Sequence, residues 1–182
     1  MKSTKLLVAA LALITIGTMA GCWGSSSKSP DVSDSIHKSL DQAGFKDVSV
    51  SQDRDKGIVT LSGHVASQDE KTQAETLAKS LAGEQVVADQ IAVVPPGQGS
   101  EVRAVNSDLD AGIEKNLDAA LIQNKLHKKV NYKVKNGVVT LSGEVDSETT
   151  RKTAESVASA VPNVQQVVND LQIKNMKASS GQ

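Results

Sequence analysis

The side chains that could do chemistry are few, and their spacing rules out most of it. His37, His64 and His127 stand at no metal-ligand spacing from one another, and Cys22 is the only cysteine. A thiolate cluster and an internal disulfide framework are therefore excluded, and no metal or cofactor is expected. Serines are plentiful, but no Gly-x-Ser-x-Gly elbow, P-loop or Gly-x-Gly-x-x-Gly turn occurs; Gly97-Gln98-Gly99 follows no strand–helix context. The carboxylate pairs Asp53/Asp55 and Asp69/Glu70 are explained by a turn and by the first turn of a helix. No catalytic residue is expected. What remains is binding chemistry: Lys125, Lys128, Lys129, Lys133 and Lys135 fall within eleven residues.

Composition narrows the partners. The 182 residues carry 20 Lys+Arg against 21 Asp+Glu, so the chain is not a globally basic nucleic-acid binder. Aromatics are 2%, only Trp23, Phe45 and Tyr132, too few for a base-stacking platform. Charge is unevenly placed. Over residues 31–95, 11 acidic side chains outnumber 6 basic ones, whereas residues 106–175 carry 9 of each.

The elements that must position these groups come twice. Gly57-Ile58-Val59-Thr60-Leu61-Ser62-Gly63-His64-Val65 recurs at an offset of 80 as Gly137-Val138-Val139-Thr140-Leu141-Ser142-Gly143-Glu144-Val145, with seven of nine positions identical. Further on, Asp89 aligns loosely with Asp170. Each copy reads helix, strand, strand, helix, strand. In the first, Asp34 can cap a helix bearing Ile36, Leu40 and Ala43, ended by Gly44. Val48 and Val50 alternate as a strand, Asp53 to Gly57 turn, and Val59 and Leu61 share a face of the next strand. Ser67 and Glu70 form a capping box ahead of a helix with Ala74, Leu77, Ala78 and Leu81 inward. Val86 to Val94 closes the copy as one apolar strand. In the second copy Leu109, Ile113, Leu117 and Leu121 make a helix stripe, and Val130, Tyr132 and Val134 alternate. Val139 and Leu141 follow on a strand. Ala154, Val157, Ala158 and Val161 line a helix stopped by Pro162, and Val164 to Ile173 completes the sheet. Pro95 to Ser100 reads as linker. Gly63 and Gly143 are expected to mark a bulge or a close approach rather than a ligand site.

Alternation places Lys129, Asn131, Lys133 and Lys135 on the face opposite Val130, Tyr132 and Val134. At the offset of 80 the first copy has Ser49, Ser51, Asp53 and Asp55 there, so folding alone does not demand lysines. Each lysine near an anionic membrane contributes about 1 kcal/mol. The competing reading is a solvated strand face on which lysine discourages edge pairing.

The N-terminus is an export signal. Lys2 and Lys5 precede an apolar run from Leu6 to Ile16, far short of the ~20 residues of a permanent membrane helix. Met19-Ala20-Gly21-Cys22 resembles a lipobox, whose cysteine is acylated after cleavage. The alternative is ordinary cleavage after Thr18-Met19-Ala20, which would leave an exposed thiol open to oxidation. Several acyl chains would hold the protein on a membrane. Trp23 follows the cysteine where an Asp would signal inner-membrane retention, so the resemblance implies the outer membrane of a Gram-negative cell. Gly24 to Pro30 is a flexible tether, and the stretch from Trp23 to Ser33 reaches at most ~35 Å at ~3.3 Å per residue.

The motif Gly-x-Val-x-Leu-x-Gly-x-Val, found twice inside an α-β-β-α-β unit, resembles the BON domain (bacterial OsmY and nodulation). With the signal and Cys22, the whole resembles dual-BON envelope lipoproteins and OsmY-like periplasmic proteins. The expected fold class is α+β: two tandem BON domains, each with helices packed on a small mixed sheet. The expected boundaries are a signal at 1–21, lipidated Cys22 and tether at 22–33, domains at 34–95 and 108–174, a linker at 96–107 and a tail at 175–182. The resemblance implies a non-enzymatic envelope protein linked to stress tolerance and membrane integrity. Expected partners are the membrane through acylated Cys22, anionic phospholipid head groups, and envelope proteins; nucleic acid and metal are not among them. The alternative role is a protein-interaction module recruiting an envelope or cell-wall partner.

Overall fold

The computed structural model describes residues 28–174; Cys22, the signal, most of the tether and the tail lie outside the described residues. The order is α1 (Ser33–Gln42), β1 (Val48–Asp53), β2 (Ile58–Val65), α2 (Gln68–Ala82), β3 (Val86–Asp89), β4 (Ala92–Val93), α3 (Gly99–Gln123), β5 (Val130–Lys135), β6 (Val138–Val145), α4 (Glu148–Ser159) and β7 (Gln166–Ile173). Each unit is the expected α-β-β-α-β arrangement. β2 pairs antiparallel with β1 and parallel with β3 and β4; β6 sits likewise between β5 and β7. Among the described residues no helix is long and apolar enough to cross a membrane.

Each unit buries its own core between the inner sheet face and its helices. In the first, Ile36 and Leu40 of α1 meet Val59, Leu61 and Ile91; in the second, Ile113, Leu117 and Leu121 meet Val139, Leu141 and Leu171. Half of the expected capping box forms: Ser67 Oγ accepts from Glu70 N, but Glu70 Oε2 accepts from Ala66 N, one residue before the cap, rather than from Ser67 N. Gly63 and Gly143 are close approaches. A Cβ on Gly63 would lie 2.0 Å from Asp47 O, and one on Gly143 would lie 2.5 Å from Lys129 O.

Several expectations are corrected. Asp34 does not cap α1. Val32 stands at the cap without a side-chain bond, and its own N–H is taken by Gln52 Oε1 from β1. Ala43 is exposed because α1 ends one residue earlier. Leu81 is exposed and Ala82 buried: the inner stripe of α2 is Lys71, Ala74, Ala78 and Ala82, and its three small alanines let α1 approach closely. Leu109 is 45% exposed although it continues the stripe of Ile113, Leu117 and Leu121, because α3 overhangs its sheet. The closing strand of the first unit is broken at Asp89, whose Oδ1 accepts from Ile91 N, while Gln90 N turns to Leu61 O. The stretch expected as linker is helical from Gly99. Pro95, Pro96 and Gly97 punctuate only the start of it, and the helix-compatible residues from Glu101 to Ala104 continue α3.

Strand registers also correct the alignment of the copies. Val86 and Gln166 face Ile58 and Val138, so Asp89 answers Asn169, not Asp170. The equivalence is chemical as well, since Asn169 Oδ1 accepts from Leu171 N as Asp89 does from Ile91 N. Val48 and Val130 face Gly63 and Gly143, so β1 and β5 correspond at an offset of 82 rather than 80. The cause is the hairpin. Arg54 to Gly57 connect β1 to β2, whereas Asn136-Gly137, with φ of 48° and 75°, makes the tighter two-residue turn.

The two units pack against each other through the outer faces of their sheets. Ile58 and Ala88 of the first meet Val138 and Val168 of the second, positions that are equivalent in the two copies. Around this patch Lys56 Nζ pairs with Asp170 at 2.7 Å, and at the equivalent place Asn136 Nδ2 donates to Gln90 O at 2.7 Å. The Asp170 hydrogen bond and charge hold the Lys56 ammonium above its ordinary value. The contact is thus a pseudo-twofold. Gln166 breaks the symmetry: its side chain donates to Val87 O and accepts from Asp89 N, closing the edge of β3.

Candidate functional site

The lysines singled out in the sequence lie along one strand and the loop that feeds it. α3 ends in a Schellman turn, with Leu126 N bonding Leu121 O and Lys125 N bonding Ile122 O. Lys125 holds the left-handed position, φ 58°, that Gly44 fills after α1. A side chain there costs roughly 1 kcal/mol relative to glycine. Lys128 and Lys129 follow on the exposed loop. Lys133 and Lys135 then project from the outer face of β5 beside Thr140 and Val138. From Lys129 to Lys135 the strand covers about 20 Å at ~3.4 Å per residue, so the lysines form a line rather than a cluster.

Not all of that charge is free. Lys129 Nζ is bound by Asp146, which also takes Lys174 at 3.4 Å. The hydrogen bonds from Lys129 and Lys174 pull the Asp146 carboxyl below the usual carboxylate range. In the true register the first unit carries Asp47, Ser49, Ser51 and Asp53 where the second has Lys129, Asn131, Lys133 and Lys135. The charge contrast between copies therefore survives the corrected alignment.

Two clefts lie where the units meet. The first, about 580 Å³, brings Lys135 beside Arg103 of α3 and His64 of β2, extending the basic line onto residues that the sequence gave no reason to join. Arg103 was hidden by the expectation of a linker. Asp110, on the same wall, is already engaged: its two oxygens accept from Asn136 N at 2.8 Å and Gly137 N at 2.9 Å. The second cleft, about 380 Å³, lies between α2, α3 and the loop before β7. Lys71 lines it, paired with Asp89 at 3.9 Å. Burial pushes the Asp89 carboxyl up. His37 and His127 stay on the surface near Asp41 and Asp118. No group of three potential metal ligands exists among the described residues.

Comparison with known proteins agrees with the duplicated architecture. The BON domain model matches residues 30–95 and 109–175. Osmotically-inducible protein Y of Escherichia coli (strain K12) is 37% identical over 137 residues, covering 74% of this chain and 67% of that protein. An uncharacterized protein in the gshII 5' region of Anaplasma centrale is 29% identical over 145 residues, covering 78% and 92%. Among solved structures, the C-terminal domain of CdsD, a structural protein of the Chlamydia trachomatis Type III secretion system, aligns at TM-score 0.34 and 15% identity over 79% of this chain and 97% of that one.

Proposed function

Since the chain belongs to the BON domain family, in a two-domain form similar to osmotically-inducible protein Y, we propose that it is a non-enzymatic envelope protein serving cells under osmotic stress. On this reading it is exported, acylated at Cys22 and held at the outer membrane. Its second domain binds anionic phospholipid head groups through the line of Lys125, Lys128, Lys133 and Lys135. The observation that carries the proposal is Lys125. The fold would take glycine there, as it does at Gly44, yet a lysine stands in the left-handed position at the head of the basic line.

The test is co-sedimentation of residues 23–182, made without acyl chains, with anionic and neutral vesicles across a salt series. Binding should be confined to anionic vesicles and fade with ionic strength. Lys128→Glu/Lys133→Glu/Lys135→Glu, which spares the Lys129–Asp146 pair, should weaken it about a hundredfold at ~1 kcal/mol per lysine. Lys125→Gly separates stability from binding. It should raise the unfolding free energy of the second domain, read from urea unfolding, by about 1 kcal/mol while weakening vesicle binding severalfold. Binding unchanged by both variants would remove the lysine line from the proposal.

One observation favours a second reading. Among the described residues β5 pairs only with β6, so its outer edge can accept an added strand from a protein partner. Such binding would persist at high salt.

A further inference from the structure

The second cleft holds a charge that the fold pairs only loosely. Lys71 sits on the buried stripe of α2 with its side chain only 9% exposed, and it lines the cleft. Its single partner among the described residues, Asp89, offers Oδ2 at 3.9 Å, an ion pair beyond hydrogen-bond reach, while Asp89 Oδ1 accepts from Ile91 N. A largely buried ammonium with three donors and no hydrogen-bond acceptor among the described residues is costly. At the corresponding place on α4, Arg151 donates from Nη2 to Glu148 Oε1 at 3.3 Å, a hydrogen bond that Lys71 lacks. The opposite wall of the cleft is apolar and uncovered. Leu109 is 45% exposed there, one helical turn from fully buried Ile113, with Ile91 and Val164 alongside.

We propose that the cleft between the two domains binds a small aliphatic monocarboxylate, its carboxylate on Lys71 Nζ and its alkyl chain over Leu109. The volume of about 380 Å³ equals roughly a dozen waters at ~30 Å³ each, which suits a short chain and not a whole phospholipid. Asp110 also lines the cleft and Asp89 stands behind Lys71, so a dianion would be repelled more strongly than a monoanion. A cation would meet the Lys71 ammonium, and Asp110, the carboxylate that lines the cleft, already accepts from the Asn136 and Gly137 amides. The side-chain amides of Gln68 and Asn163 on the rim can donate to the second carboxylate oxygen. This site is separate from the lysine line on β5 and stands or falls without it.

The probe is sodium hexanoate, titrated into the whole chain carrying Cys22→Ser and followed by the methyl resonances of Leu109 and Ile91. Both should shift together and saturate. Hexanol should bind more weakly, and hexylammonium should not saturate. Lys71→Met should weaken hexanoate at least tenfold and leave hexanol unchanged, whereas Leu109→Ala should weaken both. Leu109 is half exposed, so that variant carries the test if Lys71→Met does not fold. Equal binding of hexanoate and hexylammonium, wild-type affinity in Lys71→Met or Leu109→Ala, or the absence of a saturating shift would overturn the proposal.

Discussion

Gly63→Ala should destabilise the first BON domain by about 3 kcal/mol or more, against about 1 kcal/mol for Gly44→Ala. Both glycines have positive φ, 105° and 94°, so both substitutions meet the positive-φ penalty. They differ in what the new methyl meets. At Gly44 nothing lies within 4 Å, whereas at Gly63 the Cβ would be 2.0 Å from the Asp47 carbonyl oxygen. That oxygen is backbone at the start of β1, and it also accepts from His64 N, so it cannot swing aside without breaking the β1–β2 ladder. A unit of this size has little stability to spare. Urea unfolding followed by circular dichroism should show the Gly63→Ala midpoint far below that of Gly44→Ala. Equal midpoints would mean that β1 can shift and that the glycine is not required by packing.

Val168→Asp should uncouple the two domains while leaving each folded. Val168 is 1% exposed, yet it faces away from the core of its own domain, toward Ile58 and Ala88 of the other. An unpaired carboxylate buried there costs about 3 kcal/mol, which the molecule escapes by opening the contact. The interface has little to oppose this: four small or branched apolar side chains, the Lys56–Asp170 pair, and the amides of Asn136 and Gln166. Small-angle scattering should show a larger radius of gyration, and thermal unfolding should split into two transitions. Amide resonances of Leu117 and Leu141, in the core of the second domain, should keep their positions. An unchanged radius of gyration with a single transition would show that the interdomain contact does not depend on this patch.

Much of the fold was legible in the chain. Period-two and period-four apolar patterns marked β1, β2, β5, β6 and the helices, because side-chain direction along one element is fixed by local geometry. The duplicated Gly-x-Val-x-Leu-x-Gly-x-Val segment gave the family and the α+β class. The errors lie where local pattern does not decide. Leu81 and Ala82 both satisfy an amphipathic reading of α2, and only the close approach of α1 chooses the smaller one for the inside. Leu109 belongs to the α3 stripe by spacing, but burial ends where the sheet beneath the helix ends. The β1–β5 alignment slipped by two residues because the hairpin lengths differ, and a sequence offset taken from β2 and β6 cannot see a turn that lies outside them.

The candidate sites divide the same way. The five lysines from Lys125 to Lys135 stand close in sequence, so charge and alternation alone drew attention to them. Sequence could not show that Asp146 neutralises Lys129, that Lys125 bears a left-handed backbone, or that Arg103 and His64 join Lys135. Lys71 was read only as one residue of a helix, since nothing local distinguishes a buried lysine from an exposed one. The chain by itself determined the repeated unit, its element order and the contrast in charge between the copies, because these depend on neighbours a few residues away. The tertiary structure alone decided that the copies meet through equivalent outer faces and form clefts between them. Ile58, Ala88, Val138 and Val168 are far apart in sequence, and only the docking of two closed sheets makes them one surface.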